Sequence, residues 1–167
     1  MEQKINSKEE AVKKFKALIQ DVNICMFTTI DDRNRIFSRP MSTVQIDDEG
    51  NAWFFTNEFS EKIHEVSSDN TVYLIYSHPG KNVYVTVTGT SSLILNRNKI
   101  DELWNPLFKA WFPEGKEDPR LCLVKVVTEE ANYWNSNAGK MGVYFKMLKA
   151  IANKEQYKEK DMGKLKL

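Results

Sequence analysis

The chain has 167 residues, 41% of them hydrophobic and 28% charged, which is enough for one well-buried domain and too little for two of ordinary size. A formal net charge of +1 supplies no global field for nucleic acid or a membrane surface, and no apolar run is long enough to span a bilayer. The first residues carry Glu2 early and show no apolar core ahead of a small-residue cleavage site, so a cytoplasmic protein is expected.

Ser7-Lys8-Glu9-Glu10 forms a capping box, and Ala11, Phe15, Leu18, Ile19 and Val22 follow at helical spacing. This predicts a first helix from Lys8 to Val22 that lids one end of a barrel. The period then changes. Ile24 to Ile30, Arg35 to Ile46 and Asn51 to Thr56 read as strands, separated by Asp31-Asp32-Arg33-Asn34 and Asp47-Asp48-Glu49-Gly50, both turn compositions. The second of these lacks the alternating oxygen ligands of a calcium loop and reads as a hairpin turn. Pro40 has no N–H to give to a ladder and implies an edge or a bulge in the second strand.

Ser60 is placed to cap a short helix from Glu61 to Ser67, and Thr71 to Ser77 reads as a central strand. After the turn at His78-Pro79-Gly80-Lys81, Asn82 to Leu95 alternates as a long strand, with Gly89 at a bulge or barrel corner. Asn96 should cap a helix carrying Ile100, Leu103, Trp104, Leu107 and Phe108, followed by a loop from Trp111 to about Pro119. Leu121 to Val127 is read as a strand, Thr128-Glu129-Glu130 as a turn, Ala131 to Trp134 as a short extended piece, and Lys140 to Asn153 as a last helix. From Lys140 onward eight lysines stand against Glu155, Glu159 and Asp161. That excess reads first as a solvated helix and tail, with an anionic partner as the minor reading.

These elements define one domain over residues 1–153 and a polar, lysine-rich tail over 154–167 that frays. The class is mainly β: six or seven short antiparallel strands with three or four flanking helices, closing into a barrel because closure removes the edges of such a meander. Cys25 and Cys122 lie in apolar runs and are expected as buried free thiols. With two histidines, His64 and His78, no metal site is expected. No Gly-x-Ser-x-Gly motif supports a hydrolase.

The chemistry concentrates between Arg39 and Lys62. Arg39 brings a planar fork suited to phosphate, Lys62 a point charge, and Ser60 a hydroxyl ahead of a helix N-terminus whose N–H groups favour anions. Taken singly, Arg39 also reads as an exposed edge charge and Ser60 as a plain helix cap.

Arg39-Pro40-Met41, Phe55-Thr56-Asn57 and Ser60-Glu61-Lys62, in that order, resemble the FMN-binding split-barrel proteins of the pyridoxamine phosphate oxidase-like superfamily. Trp111-Phe112-Pro113-Glu114-Gly115, Asp118-Pro119 and Tyr133-Trp134 are similar to recurring words of its general stress protein 26 branch, a resemblance covering about residues 8 to 150. It implies a six- to seven-stranded antiparallel split β-barrel and a homodimer holding FMN in a groove at the subunit interface. The phosphate would be gripped by Arg39, Ser60 and Lys62, with Pro40, Met41, Phe55 and Thr56 around it. Glu61 stands where the family motif has an arginine, which removes one phosphate cation.

The resemblance also implies that the partner chain contributes aromatic residues near the flavin ring, and Trp111, Phe112 and Trp134 are the candidates for that role. Trp104, spaced with Ile100 and Phe108, reads as core, while for Trp111 and Trp134 core or interface packing stays open beside the ring contact. The function implied is a flavin-dependent oxidoreductase. A non-catalytic flavin-binding or sensing module is the alternative, as is a barrel holding another ligand such as a deazaflavin. Haem is disfavoured by the shortage of histidines. Oxidation of pyridoxamine phosphate is not expected, because Met141 to Leu167 contains neither arginine nor histidine for the Arg-x-His clamp of the true oxidases.

Overall fold

Helix α1 (Lys8–Ile19) starts where the Ser7 hydroxyl accepts the Glu10 N–H at 3.2 Å. It buries Ala11, Val12, Phe15, Leu18 and Ile19 along one stripe, the spacing that a single buried face of a helix demands. It ends short of Val22, whose N–H instead closes a turn on the Ile19 carbonyl at 2.9 Å. The computed structural model describes residues 7–57, 70–136, 139–156 and 161–167 of the chain. The expected helix from Glu61 to Ser67, with Ser60 and Lys62, lies outside the described residues.

Seven strands follow among the described residues: β1 (Ile24–Ile30), β2 (Ile36–Ile46), β3 (Ala52–Thr56), β4 (Thr71–His78), β5 (Val83–Ile94), β6 (Cys122–Asn135) and β7 (Asp161–Lys166). They pair antiparallel in the order β3-β2-β1-β4-β5-β6-β7, and β3 also pairs with β6. The first six strands therefore close on themselves as an antiparallel barrel, and β7 is added outside the ring. Inside lie Phe27, Phe54, Val72, Leu74, Tyr76, Val85, Val87, Val124, Val126 and Tyr133, and α1 closes one end by packing Phe15 edge-on against Tyr76 at 6.4 Å. Burying a side chain such as Phe15 contributes roughly 1.5–3 kcal/mol.

The turns follow their side chains. The Asp47 carboxylate accepts the N–H groups of Glu49 and Asn51, the Asn51 side-chain amide and the Trp53 indole N–H at 2.8–3.0 Å. Gly50 takes φ +89° there, a conformation glycine adopts at little cost, so the acidic run is a hairpin. At Gly89 the β5–β6 register shifts, and an added Cβ would come within 2.5 Å of the Val127 carbonyl oxygen. The expected bulge is present, and it leaves no room for a side chain. Cys25 and Cys122 are buried and unpaired with each other, and burial pushes the Cys25 thiol up to about 12.

Three expectations are corrected. Thr128-Glu129-Glu130 is the middle of one continuous strand, β6, since Thr128 turns inward to donate its hydroxyl to the Gly50 carbonyl at 2.6 Å. The helix after Asn96 is two pieces: α2 (Arg97–Leu103) ends ahead of Pro106, and a 3₁₀ helix, Pro106–Ala110, begins under a new cap in which Asn105 accepts the Leu107 N–H. The last residues do not fray, because β7 pairs with β6 and buries Leu165 against Ala131. Helix α3 (Gly139–Ala152) lies between β6 and β7 in the chain.

Candidate functional site

The barrel opens between β2 and β3. Their ladder runs from Ile46↔Ala52 to Thr43↔Phe54, with an irregularity between Thr43 and Gln45, and no further pair of β2 with β3 follows. Continuing the antiparallel register would set Ser42, Met41 and Pro40 opposite Phe55, Thr56 and Asn57. Instead that pairing is not made, and both segments line one groove of about 540 Å³, within the roughly 300–1,000 Å³ of small-molecule sites. Pro40, which has no N–H for a ladder, pairs with Met26 of β1 on one side and stands on the open edge on the other. The proline thus marks where the second strand stops pairing.

The groove's lining carries two kinds of chemistry. Arg39, Ser42, Thr56 and Asn57 bring a guanidinium, two hydroxyls and an amide. Arg39 is half-buried, and its guanidinium carbon lies 5.9 Å from the centroid of Phe27, its cross-strand partner. Such stacking contributes about 0.5–2 kcal/mol and fixes the side chain's direction. The apolar lining comes from Met41, Val44, Phe55, Phe108, Trp111 and Phe112, with Ile24 at the rim. Trp111 is 65% exposed although it lines the groove.

The aromatic wall is held from behind. Phe55 meets Phe108, Trp104 and Phe112 at centroid separations of 5.3, 5.6 and 6.1 Å, all edge-on. Trp104 is therefore a packing residue, as its spacing predicted, and Trp111 is not a core residue. The segment beyond Phe112 is anchored by Asp118, whose carboxylate accepts the Arg120 N–H at 2.8 Å and both Arg120 Nε and Nη2 at 3.1 Å. Arg97 donates to the carbonyls of Lys116 and Asp118 at 3.0 and 3.3 Å. The Asp118-Pro119 word is thus a clamp on the loop that presents Trp111 and Phe112.

Of the sequence-predicted residues, Arg39, Pro40, Met41, Phe55, Thr56, Trp111 and Phe112 share this groove. Trp134 does not line it. It sits near the end of β6, in register with Tyr84 of β5 and Met162 of β7. Ile24, Ser42, Val44 and Phe108 also line the groove and were not singled out. Ser42 was within reach of the sequence, standing two residues beyond Pro40 on a strand whose side chains alternate, whereas Phe108 carries the spacing of a core residue.

Trp134 belongs to a second feature. Ser42 and Ile24 are a registered pair, Ser77 pairs with Tyr84, Tyr84 with Trp134, and Trp134 with Met162. Ile24, Tyr84, Trp134 and Met162 are each 37–54% exposed, and Met26 and Ile75, a registered pair two residues further along β1 and β4, are 40% and 41% exposed. Extending the β1–β4 register one residue past Cys25↔Tyr76 sets Ile24 opposite Ser77, so these exposed side chains follow one row across the outside of the barrel from Ile24 to β7, apolar except at Ser77.

An antiparallel six-stranded barrel split at β2 and β3, with a mixed basic and aromatic groove in the split, defines the class of protein. The profile of the family described as pyridoxamine 5'-phosphate oxidase like matches residues 10–158, and the chain belongs to that family. Among solved structures, a candidate general stress protein 26 from Jannaschia sp. CCS1 shares the fold at a TM-score of 0.71, with 23% identity over 96% of this chain and 100% of that one. The general stress FMN/FAD binding protein of Xanthomonas citri has a TM-score of 0.61 and 28% identity, covering 75% of this chain and 89% of that one. Protein bli-3 of Neurospora crassa is 29% identical over 118 residues, 65% of this chain. The chain spans little more than half of that relative, 56% of its length. No helix among the described residues is long and apolar enough to cross a membrane.

Proposed function

We propose that the chain binds FMN in the split between β2 and β3, as a homodimer, and serves as a flavin-dependent oxidoreductase of the general stress protein type. The observation that carries this reading is one groove whose lining combines a guanidinium and hydroxyls with aromatic rings, the two requirements of a phosphorylated flat ring. The likeness to the general stress FMN/FAD binding protein of Xanthomonas citri supports the choice of ligand.

In this reading Arg39 grips phosphate oxygens with its fork, Thr56 contributes its hydroxyl at the end of β3, and Ser60 and Lys62 add a hydroxyl and a point charge. Pro40 and Met41 shape the wall, and Phe55 fixes the aromatic segment. Trp111 and Phe112 cover the ring, and stacking adds about 0.5–1.5 kcal/mol beyond burial. Trp134 is assigned to the subunit contact through the apolar row. When bound, the flavin supplies the redox chemistry. In this reading the chain's part is to bind and orient the flavin and to exclude water, and no side chain need act as an acid or base.

Arg39→Ala with Lys62→Ala tests the phosphate site. Each charged contact contributes roughly 1.5–3 kcal/mol, so FMN affinity should fall by two orders of magnitude or more while the far-UV circular dichroism stays the same. Unchanged affinity in a folded double variant refutes the assignment.

A further inference from the structure

Helix α3 turns its apolar face outward. Tyr144, Met147, Leu148 and Ile151 recur at the spacing of one helical stripe and are 58%, 44%, 45% and 73% exposed, while Lys146 and Ala150 on the other side are half-buried. An isolated amphipathic helix gains most by the reverse arrangement. The same chain exposes the apolar row on its sheet, so neither surface covers the other within one molecule.

The two surfaces match. The helix has 14 residues and so is roughly 21 Å long at 1.5 Å per residue. The row crosses from β1 through β4, β5 and β6 to β7, four inter-strand steps, or about 19 Å along the sheet. Its members, Ile24, Ser77, Tyr84, Trp134 and Met162, carry no charge, so a helix laid on them buries no unpaired ion. A two-fold pair of chains repeats the contact, each protomer giving one helix and receiving one.

We propose that α3 of a second copy of this chain lies across the apolar row, with Tyr144, Met147, Leu148 and Ile151 against Tyr84, Trp134 and Met162. Its reach toward Ile24 makes the partner's helix a wall of the β2–β3 groove. The groove is then complete only in the dimer, and flavin affinity and dimerisation are linked, each strengthening the other. This rests on the homodimer reading above and adds to it which element covers the row.

The test is a cross-link between co-expressed chains, one tagged and carrying Leu148→Cys, the other untagged and carrying Ser77→Cys, treated with a short bismaleimide. Cys25 and Cys122 are buried and leave a low background. The expected product is a tagged–untagged dimer joined between positions 148 and 77. A dimer by light scattering with no such link, or a link found only within one chain of the Leu148→Cys/Ser77→Cys variant, overturns the helix placement and leaves the homodimer standing. A monomer at every concentration overturns both. As a second arm, Ile151→Asp should leave the far-UV spectrum unchanged and weaken dimerisation at least about tenfold, since an unpaired charge would be buried. An unchanged dimerisation constant contradicts the proposal.

Discussion

The ring of Phe55 meets that of Phe112 edge-on, with centroids 6.1 Å apart and planes inclined by 64°. Phe55 is a barrel residue of β3, and Phe112 follows Trp111 in the peripheral segment, so this contact ties the barrel to the segment that carries Trp111. Phe55→Ala would remove three ring contacts from a side chain that is 7% exposed. A loss of about 3–5 kcal/mol is expected, read from urea unfolding.

Trp111 makes the opposite prediction. It lines the groove while 65% exposed, so Trp111→Ala should change stability by no more than about 0.5 kcal/mol, as exposed substitutions do. FMN affinity should nonetheless fall roughly 2- to 12-fold, the stacking contribution of about 0.5–1.5 kcal/mol. Titration and unfolding of the same preparation separate the two effects, and equal changes in both would make Trp111 a packing residue.

Asp47 links stability to pH. Burial alone would push its carboxyl up, but the Trp53 indole N–H, the Asn51 side chain and the backbone N–H groups of Asn51 and Glu49 outweigh it and hold the group below the usual carboxylate range. With the folded value depressed, the contribution is present above the unfolded value of about 3.9 and is lost as pH falls through the folded one. Urea midpoints of the wild type should therefore drop between about pH 5 and pH 3 more steeply than those of Asp47→Asn. Parallel profiles would show that Asp47 does not contribute this dependence.

Much of this fold can be read from one sequence. The helix cap at Ser7, the strand limits of β1 to β5 and the bulge at Gly89 each follow from a local rule, and the structure keeps them within a residue or two. Strand β6 was cut in three because Thr128-Glu129-Glu130 has turn composition. What keeps it extended is non-local: the Gly50 carbonyl takes the Thr128 hydroxyl, and Glu130 pairs with Lys164 at 2.5 Å. Strand β7 was missed because its polar residues conceal one buried side chain, Leu165. In the groove, Arg39 and Pro40 announced themselves by type. Ser42 is legible only from its spacing to Pro40, and Phe108 not at all, because its helical spacing is that of a core residue while its place in the groove is a property of the closed barrel. Trp134 is legible only through its family word, while its row partners Tyr84 and Met162 come from registers no local pattern contains.

Fluorescence titration of the purified protein with FMN and with riboflavin at one salt concentration tests the central claim most directly. The two ligands share the ring and differ in the phosphate, so a site built on Arg39 and its neighbours should hold FMN at least about a hundredfold more tightly, two charge-assisted contacts at roughly 1.5–3 kcal/mol each. Equal affinity for both, or binding of neither, would contradict a phosphate-anchored flavin site in the split of this barrel.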